Sequence, residues 1–439
     1  MGKQTSHRGG MIGRRDFLIG SALAGVAVGA GARLGRAAAG EKLHIGIIGA
    51  GGRGRANTQA VAEGNNIVAL CDVSAKALAE AGEKYPGARQ YRDYRKMLEA
   101  KRDLDAVVIS TPDHSHALSA LMALDLDLHV YCEKALTHSL WEARLVREAA
   151  EAKPRLATQM GIQIQAGANY RRVVELIQSG AIGEVREAHV WTIRVKGGGR
   201  RPEPPEPVPE HLDWDLWLGG APERPFHSDY LGRPGWYQFW DFGGGTLTDM
   251  GSHWNDLPFW ALQLDAPRRI EASGPPPHPE TAPAELAVRF DFDARGDLPP
   301  ATLHWSHGRS YPVRYEGPAL PEGWNNGILF VGSKGMVLAD YSRHVLLPEE
   351  QFAGFERPEP WLEQSPGQQA EWVRACKGGP KPLANFEYSG RLTEMNHLGN
   401  IAHRTGEKLA WDFEAMRTDV PAANGLLRRT YRPGWEIAS

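Results

Sequence analysis

The sequence predicts an α/β protein in two domains: a doubly wound parallel sheet, then a second α/β domain built on a mostly antiparallel sheet. Three observations predict it. Between Leu43 and Gln163, short apolar runs alternate with helical segments, the pattern of a parallel sheet covered by helices on both faces. The first run ends in a glycine-rich turn that opens a helix. After residue 184, strand-like runs follow one another with turns between them, the pattern of an antiparallel sheet.

Leu43–Ile48 is the first strand, and Gly49, Gly51 and Gly54 follow it in G-x-G-x-x-G spacing. Gly49 permits the tight turn, Gly51 lets the backbone approach a pyrophosphate, and Gly54 lets the next helix lie against the sheet. That helix, from about Arg55 to Glu63, aims its first N–H groups at the phosphates. Asn66–Leu70 is the second strand and Asp72 ends it, where a carboxylate accepts from adenosine ribose hydroxyls and repels a 2′-phosphate. The cofactor expected is therefore NAD rather than NADP, in a Rossmann domain.

Ser74–Tyr85 and Tyr94–Ala100 read as helices, and Asp105–Ser110 as a buried parallel strand. Pro112 turns the chain at the carboxyl end of that strand, where open α/β sheets place their ligands. Ala117–Leu124 is helix. The strand His129–Cys132 delivers Glu133 and Lys134 to the same edge. Glu142–Ala152 is helix, and the strand Leu156–Gln159 closes the domain near Gln163. The cofactor-site candidates are Gly49, Gly51, Gly52, Arg53, Gly54, Asp72, Thr111, Pro112, His114, Glu133 and Lys134. His114 and His116 contact the cofactor or substrate, or cap the next helix, a task that suits Asp113 or Ser115 better.

The second domain opens with a helix at Tyr170–Ser179, and the partly alternating run Glu184–Val195 is a strand with one face covered. The Pro/Gly-rich stretch 197–211 is a long surface loop. Leu286–Phe292, Thr302–Ser306 and Gly327–Val331 are further strands, Leu392–Thr405 is helix, and 411–439 carries no assignable pattern.

Residues 1–39 stand apart. Arg14-Arg15-Asp16-Phe17-Leu18 precedes an apolar run from Ile19 to Ala32, and Ala37-Ala38-Ala39 offers a small-residue cleavage site. This is a signal peptide of twin-arginine type, with an apolar run short of the roughly 20 residues a membrane span needs. The expected division is a leader over 1–39, the NAD-binding domain over 40–163 and a substrate domain over 164–439, with the mature protein outside the cytoplasm. Free NAD is not expected there, but the twin-arginine route carries folded proteins, so the cofactor can travel bound.

The net charge of −3 and the absence of basic runs beyond the leader give no reason to expect nucleic acid or an anionic membrane as partner. Three widely spaced cysteines, Cys71, Cys132 and Cys376, do not make a disulfide framework or a zinc site.

Chemistry concentrates in two places. Lys134, at a strand's carboxyl end, can hydrogen-bond a substrate oxygen, and desolvation there can lower its pKa toward acid/base work. In GGGTLTDMGSHWND at 243–256, the glycine triplet is a hinge or close-approach turn. A helix after it puts Asp249 and His253 on one face, with Asp256 three residues on. An imidazole beside an alcohol is the natural acceptor for the hydroxyl proton in a hydride abstraction. A zinc reading of this cluster is weaker, since it has neither HExxH nor a cysteine partner, and no metal is expected. Half of the 14 Trp lie between Trp191 and Trp260. Core packing is their default role. Gln163, Trp191, Trp236, Tyr237 and Trp240 are the substrate-binding candidates, the aromatic ones as platforms for sugar C–H groups.

In this order, GIIGAGGRG (46–54), DAVVISTPDHSHA (105–117), CEKALTHS (132–139), QSGAIGEV (178–185) and GGGTLTDMGSHWND (243–256) resemble the Gfo/Idh/MocA oxidoreductases, over roughly residues 42–435. The resemblance implies a Rossmann domain followed by an α/β domain with a large open sheet that commonly builds homodimers or homotetramers. It implies catalytic roles for Lys134, Asp249 and His253. Ala135 stands where the family has Pro, and Gln165 where exported members often have His. The leader, 158–172, 213–230 and 426–437 look like exported bacterial members.

The function expected is NAD-dependent oxidation of a hydroxyl on a sugar, polyol or glycoside. His253 takes the proton, Lys134 polarises the oxygen and Asp249 orients. One rival is a redox-neutral NAD-dependent glycosidase, in which oxidation, elimination, water addition and reduction follow in one turnover. The other is a non-catalytic NAD- or sugar-binding protein.

Overall fold

The computed structural model describes residues 41–437, apart from 101–102, 233, 309–314, 316 and 318–319. The leader expected over 1–39 lies outside the described residues. The chain first builds β1 (His44–Ile48), α1 (Gly52–Ala62), β2 (Asn66–Cys71), α2 (Ala75–Lys84), β3 (Arg89–Tyr91) and α3 (Tyr94–Ala100). Then come β4 (Ala106–Ile109), α4 (His116–Asp125), β5 (His129–Cys132), α5 (Leu140–Glu151) and β6 (Thr158–Met160). The six strands make an all-parallel sheet in the order β3-β2-β1-β4-β5-β6, which reverses direction between β1 and β4. That reversal opens a crevice at the carboxyl ends.

The central strands read as unbroken apolar runs because both faces are covered. Val107, Ile109, Val130 and Cys132 point into one core; Ala106, Val108 and Tyr131 point into another. Local sequence fixes the helix starts. The Ser74 side chain accepts from the Ala77 N–H, and Ser139 and Glu142 form a reciprocal capping box.

The second domain continues with α6 (Ala168–Gln178), β7 (Val185–Thr192), α7 (Trp214–Leu218), α8 (Gly245–Trp254), α9 (Asp256–Ala261), β8 (Arg269–Ser273), β9 (Leu286–Phe292) and β10 (Ala301–His307). It ends with β11 (Gly327–Gly332), β12 (Gly335–Ala339), β13 (His344–Leu347), α10 (Gln368–Cys376), α11 (Phe386–Thr405), β14 (Leu409–Asp412), β15 (Arg417–Thr418) and α12 (Pro421–Asn424). Nine strands form one open sheet, β13-β12-β11-β7-β10-β9-β8-β14-β15, antiparallel except for the β7/β10 pair. Leu247 of α8 and Leu398 and Ile401 of α11 share a core with Ala188, Val190, Val288, Phe290, Ile328 and Phe330 of one sheet face. The other face carries a smaller apolar cluster of Trp191, Leu329, Met336, Leu338 and Leu347.

Two later segments return to the first domain. Trp372 and Cys376 of α10 join the core against β1 and β4, so a linear division at residue 163 leaves out part of that domain's cover. The C-terminal tail, unassignable from pattern, is tied down by polar contacts. Arg429 Nε donates to Glu142 Oε1 (2.8 Å), and the Arg95 guanidinium lies 3.9 Å over the Trp435 ring. None of the described helices is long and apolar enough to cross a membrane.

Candidate active site

The carboxyl ends of β1, β2, β4 and β5 open into a cavity of about 600 Å³. Of the residues read from sequence, Gly49, Gly51, Gly52, Arg53, Asp72, Thr111, Pro112, Glu133, Lys134, Gln163, Trp236 and Tyr237 line it. Trp435, from the tail, supplies a further wall. At Gly52 φ is +47°, and a Cβ would meet nothing within 4 Å, so the turn leaves open space for a ligand beside the backbone. α1 begins there with no side-chain cap, leaving its first N–H groups for an anion. An open turn and uncapped donors are what a dinucleotide pyrophosphate needs, and the residues present fit NAD.

Gly54 does not line the cavity; its part is packing. A Cβ there would stand 1.7 Å from the Gly49 carbonyl oxygen. Gly54→Ala is expected to push α1 off the sheet at a cost of about 1–3 kcal/mol. Thermal melting should record the loss, and a fluorescence titration should show NAD affinity weakened by at least roughly tenfold, since the phosphate donors move with the helix.

Asp72 fixes the turn as well as facing the cavity. Its Oδ2 accepts from the N–H groups of Ala50 (2.9 Å) and Gly51 (3.0 Å), and its Oδ1 from Ser74 N–H (2.8 Å). Burial raises its pKa against those hydrogen bonds. Glu133 Oε1 accepts from Arg53 Nε (3.0 Å) and Asn57 Nδ2 (2.9 Å), which pins α1 to the end of β5.

His114 is a correction to the sequence reading. It is fully buried away from the cavity, its Nε2 lies 2.8 Å from the Trp217 carbonyl, and its ring packs against Trp217 and Phe242. An imidazole with that much apolar cover and a backbone partner is a core group, and burial holds its pKa down to about 3.

The reactive groups converge where α8 meets β5. Lys134 Nζ donates to Asp249 Oδ1, and Lys196 Nζ lies 2.5 Å from Asp249 Oδ2. Burial alone would raise the Asp249 pKa, but the two ammonium groups outweigh it and hold the carboxyl down to about 2. Burial would likewise lower Lys134, yet Asp249, with Tyr237, Asp113 and Glu133 around it, raises its pKa instead. Lys134 is thus held protonated, against the expectation that desolvation would win. Lys196 goes the other way: burial lowers its pKa, and Asp249 offsets that only in part because Lys134 stands beside it. His253 sits one turn beyond Asp249 on α8, with Nδ1 buried and unpartnered. Burial, then Lys134, holds its pKa down to about 3, so the ring is neutral at ordinary pH.

The glycine triplet explains how these parts meet. A Cβ at Gly243 would strike the Tyr237 backbone at 2.9 Å. One at Gly245, where φ is +68°, would strike Ala282 at 2.3 Å and the Lys196 carbonyl at 3.1 Å. The close approach read from the triplet therefore admits the segment carrying Lys196, whose N–H donates to Thr246 Oγ1 (2.8 Å).

Lys196 and Asp113 are the groups sequence reading missed. Lys196 follows a strand end at the start of a Pro/Gly-rich loop, and only the triplet's demand for a close neighbour signals it. Asp113 was read as a helix cap, yet its side chain makes no capping bond. Its Oδ1 is buried without a partner, and burial raises its pKa to about 8 against the pull of Lys134.

The aromatic candidates divide. Tyr237 stacks on Trp236 at 3.7 Å between centroids and takes Lys196 Nζ 3.5 Å over its ring. Tyr237 is thus a cation–π support, while Trp236 lines the cavity and packs against the cluster around Trp217 and Phe242. Trp191 is not at the site: it lies in the cluster on the sheet's other face, its Nε1 donating to the Trp324 carbonyl (2.8 Å). Trp240 does not line the cavity either; its Nε1 donates to the His278 carbonyl (3.0 Å) and Arg404 lies over its ring. Both do the packing that is the ordinary work of Trp. Asp256 accepts from Gln165 Nε2 (3.0 Å) and the Tyr388 hydroxyl (2.7 Å), and burial raises its pKa to about 7. Asp249 faces the lysines and Asp256 faces these two, so the pair does not converge with His253 on a metal.

Comparison with known proteins identifies the family and agrees with the fold. The Gfo/Idh/MocA family model, "Oxidoreductase family, NAD-binding Rossmann fold", matches residues 43–160. Its companion, "Oxidoreductase family, C-terminal alpha/beta domain", matches residues 167–296. Inositol 2-dehydrogenase of Salmonella paratyphi B is 30% identical over 151 residues, 34% of this chain and 45% of that protein. Inositol 2-dehydrogenase of Leifsonia xyli is 31% identical over 204 residues, 44% of this chain and 58% of that protein. The match thus spans about half the length of these relatives. Among solved structures, the WlbA dehydrogenase from Bordetella pertussis, in complex with NADH and UDP-GlcNAcA, superposes with a TM-score of 0.60 at 18% identity, covering 85% of this chain and 98% of that one. Levoglucosan dehydrogenase in complex with NADH gives 0.56 at 17%, covering 84% and 98%. At such identities the likeness is one of fold.

Proposed function

The chain belongs to the Gfo/Idh/MocA oxidoreductase family, and from that premise we propose that it is an NAD-dependent oxidoreductase acting on a CH–OH group of a sugar, polyol or glycoside. One observation carries the reading: Lys134, on the rim of the dinucleotide cavity, is paired with Asp249 beside the neutral imidazole of His253. Gly49, Gly51, Gly52, Arg53, Asp72 and Glu133 would hold NAD, which when bound supplies the acceptor for the hydride leaving the carbon. Lys134, kept protonated, donates to the substrate oxygen. His253 accepts the hydroxyl proton. Asp249 holds both ammonium groups in place, and Trp236, on the cavity wall, offers its ring to the sugar. Residues 1–39 direct export by the twin-arginine route, with NAD loaded before the protein leaves the cytoplasm.

A second reading is redox-neutral glycoside cleavage, in which the hydride returns within the same turnover. The observation that favours it is the number of proton-carrying groups around Asp249: Lys134, Lys196, Asp113 and His253. Elimination and water addition need more acid/base groups than a simple oxidation does.

Two measurements test these readings. The mature exported protein, purified without added nucleotide, is denatured and assayed for NAD, and NADH is followed against substrate consumed. NADH rising in step with substrate supports the dehydrogenase. Turnover without NADH, on near one NAD per chain, supports the redox-neutral enzyme. Absence of any NAD binding overturns both.

Lys196 has its own test. Because its pKa is lowered, it reaches its neutral, proton-accepting form at a lower pH than an ordinary lysine. Lys196→Met is expected to lower kcat about 10²-fold and to remove the rise of kcat with pH on the alkaline side. A pH–rate profile of the two proteins checks it.

A further inference from the structure

The face of the nine-stranded sheet opposite α8 and α11 carries a second polar cluster. Glu187 and His189 lie two apart on β7 and share a face. His304 on β10 stands directly opposite His189 in the parallel register. One ligand atom from each lies within 4.8 Å of the others. Glu187 Oε1 is 2.9 Å from His189 Nε2 and 3.4 Å from His304 Nε2, and the two rings stack at 4.7 Å, 10° from parallel.

His189 makes this more than a surface ion pair. It is 2% exposed, and neither ring nitrogen has a hydrogen-bond partner, even with the Glu187 carboxylate so near. A buried imidazole with both nitrogens orphaned calls for an ion or a water to satisfy it. Two imidazoles and a carboxylate, their ligand atoms converging on one point, are a set that a metal ion takes. Leu329 and Val331 on β11, opposite His189 and Glu187, close one side of the cluster with apolar groups. Tyr315 packs edge-on to His189. On β9 the nearest cation, Arg289, is already paired with Asp291 at 2.9 Å. Glu187 and His304 stay partly exposed, which leaves a path in from solvent.

We propose that Glu187, His189 and His304 bind one divalent transition-metal ion of the zinc class, clamping β7 to β10 on the outer face of the sheet. Two nitrogens and one carboxylate oxygen suit Zn²⁺ or Co²⁺, whereas Ca²⁺ and Mg²⁺ take oxygen ligands. Three protein ligands leave a fourth position to water. β7 is the strand whose continuation carries Lys196, so the clamp steadies the strand leading to the proposed reaction centre from the opposite face. The proposal stands on this cluster alone and does not depend on the enzymatic reading.

The test uses the full mature protein, stripped with EDTA and dialysed. Zn²⁺ is titrated calorimetrically, Co²⁺ is followed by its visible absorption, and melting is recorded with and without Zn²⁺. The expected result is one ion per chain, a raised Tm, and a Co²⁺ spectrum of four-coordinate type. His304→Ala and Glu187→Gln change partly exposed side chains, and their metal-free melting curves verify that they fold. Each should weaken Zn²⁺ binding at least tenfold and abolish the Tm rise. No saturable binding, or equal binding by wild type and both variants, overturns the proposal; the latter marks adventitious sites elsewhere.

Discussion

Replacing Lys134 by Met should lower kcat about 10²–10⁴-fold, the range for removing a positioned proton-bearing group. NAD affinity should change by much less. Methionine keeps most of the stem's volume, so the cavity wall survives, while the ammonium that Asp249 and its neighbours hold protonated is lost. Lys134→Arg should not rescue the rate. The guanidinium is a planar fork rather than a compact point charge, and the site is closed around the ammonium by Asp249 and the Tyr237 ring, 5.2 Å from Nζ. Steady-state kinetics beside an NAD titration separate the two effects: a fall in kcat with nucleotide binding kept places Lys134 at the substrate oxygen, whereas equal falls in both would make it a cofactor ligand.

The first domain was legible because its physics is local. Buried parallel strands leave continuous apolar runs, and the glycine spacing answers to steric limits within a single turn, such as the 1.7 Å gap over Gly54. The second domain was legible only in its longer strands. β8, β12, β13, β14 and β15 are each five residues or fewer, too short for alternation to stand out. At the site, Lys134 and Asp249 were read separately, and the fold joins them across 115 residues. Lys196 was missed because a lysine in a Pro/Gly-rich loop has no periodicity to mark it. His114, Trp191 and Trp240 were misplaced for one common reason. Residue type says what a ring is able to bind, but which side of a sheet or loop it faces is decided by packing partners far away in sequence, such as Trp217 for His114 and Trp324 for Trp191.

Asp249→Asn is the change expected to reach furthest, because one buried carboxylate neutralises two partly buried cations. Removing one partner of a buried ion pair typically costs about 3–5 kcal/mol. Here the loss should be moderated by Lys196, whose lowered pKa lets it shed its proton once Asp249 no longer holds it. Activity cannot escape in the same way. With Lys134 no longer oriented by its carboxylate partner, kcat should fall as far as in Lys134→Met, and the double variant should be little worse than either single one, since groups acting as a unit are not additive. The pH dependence of stability gives an independent check. Asp249 has a pKa depressed from the ordinary 3.8 to about 2, so its contribution is fully present above pH 4 and is lost as pH falls through 2. A shift of that size corresponds to about 2 kcal/mol. Urea denaturation of the wild type between pH 5 and 2 should show that loss, and Asp249→Asn should lack it. A variant that kept the full acid sensitivity would mean that other carboxylates, and not the Asp249 pairing, govern stability in that range.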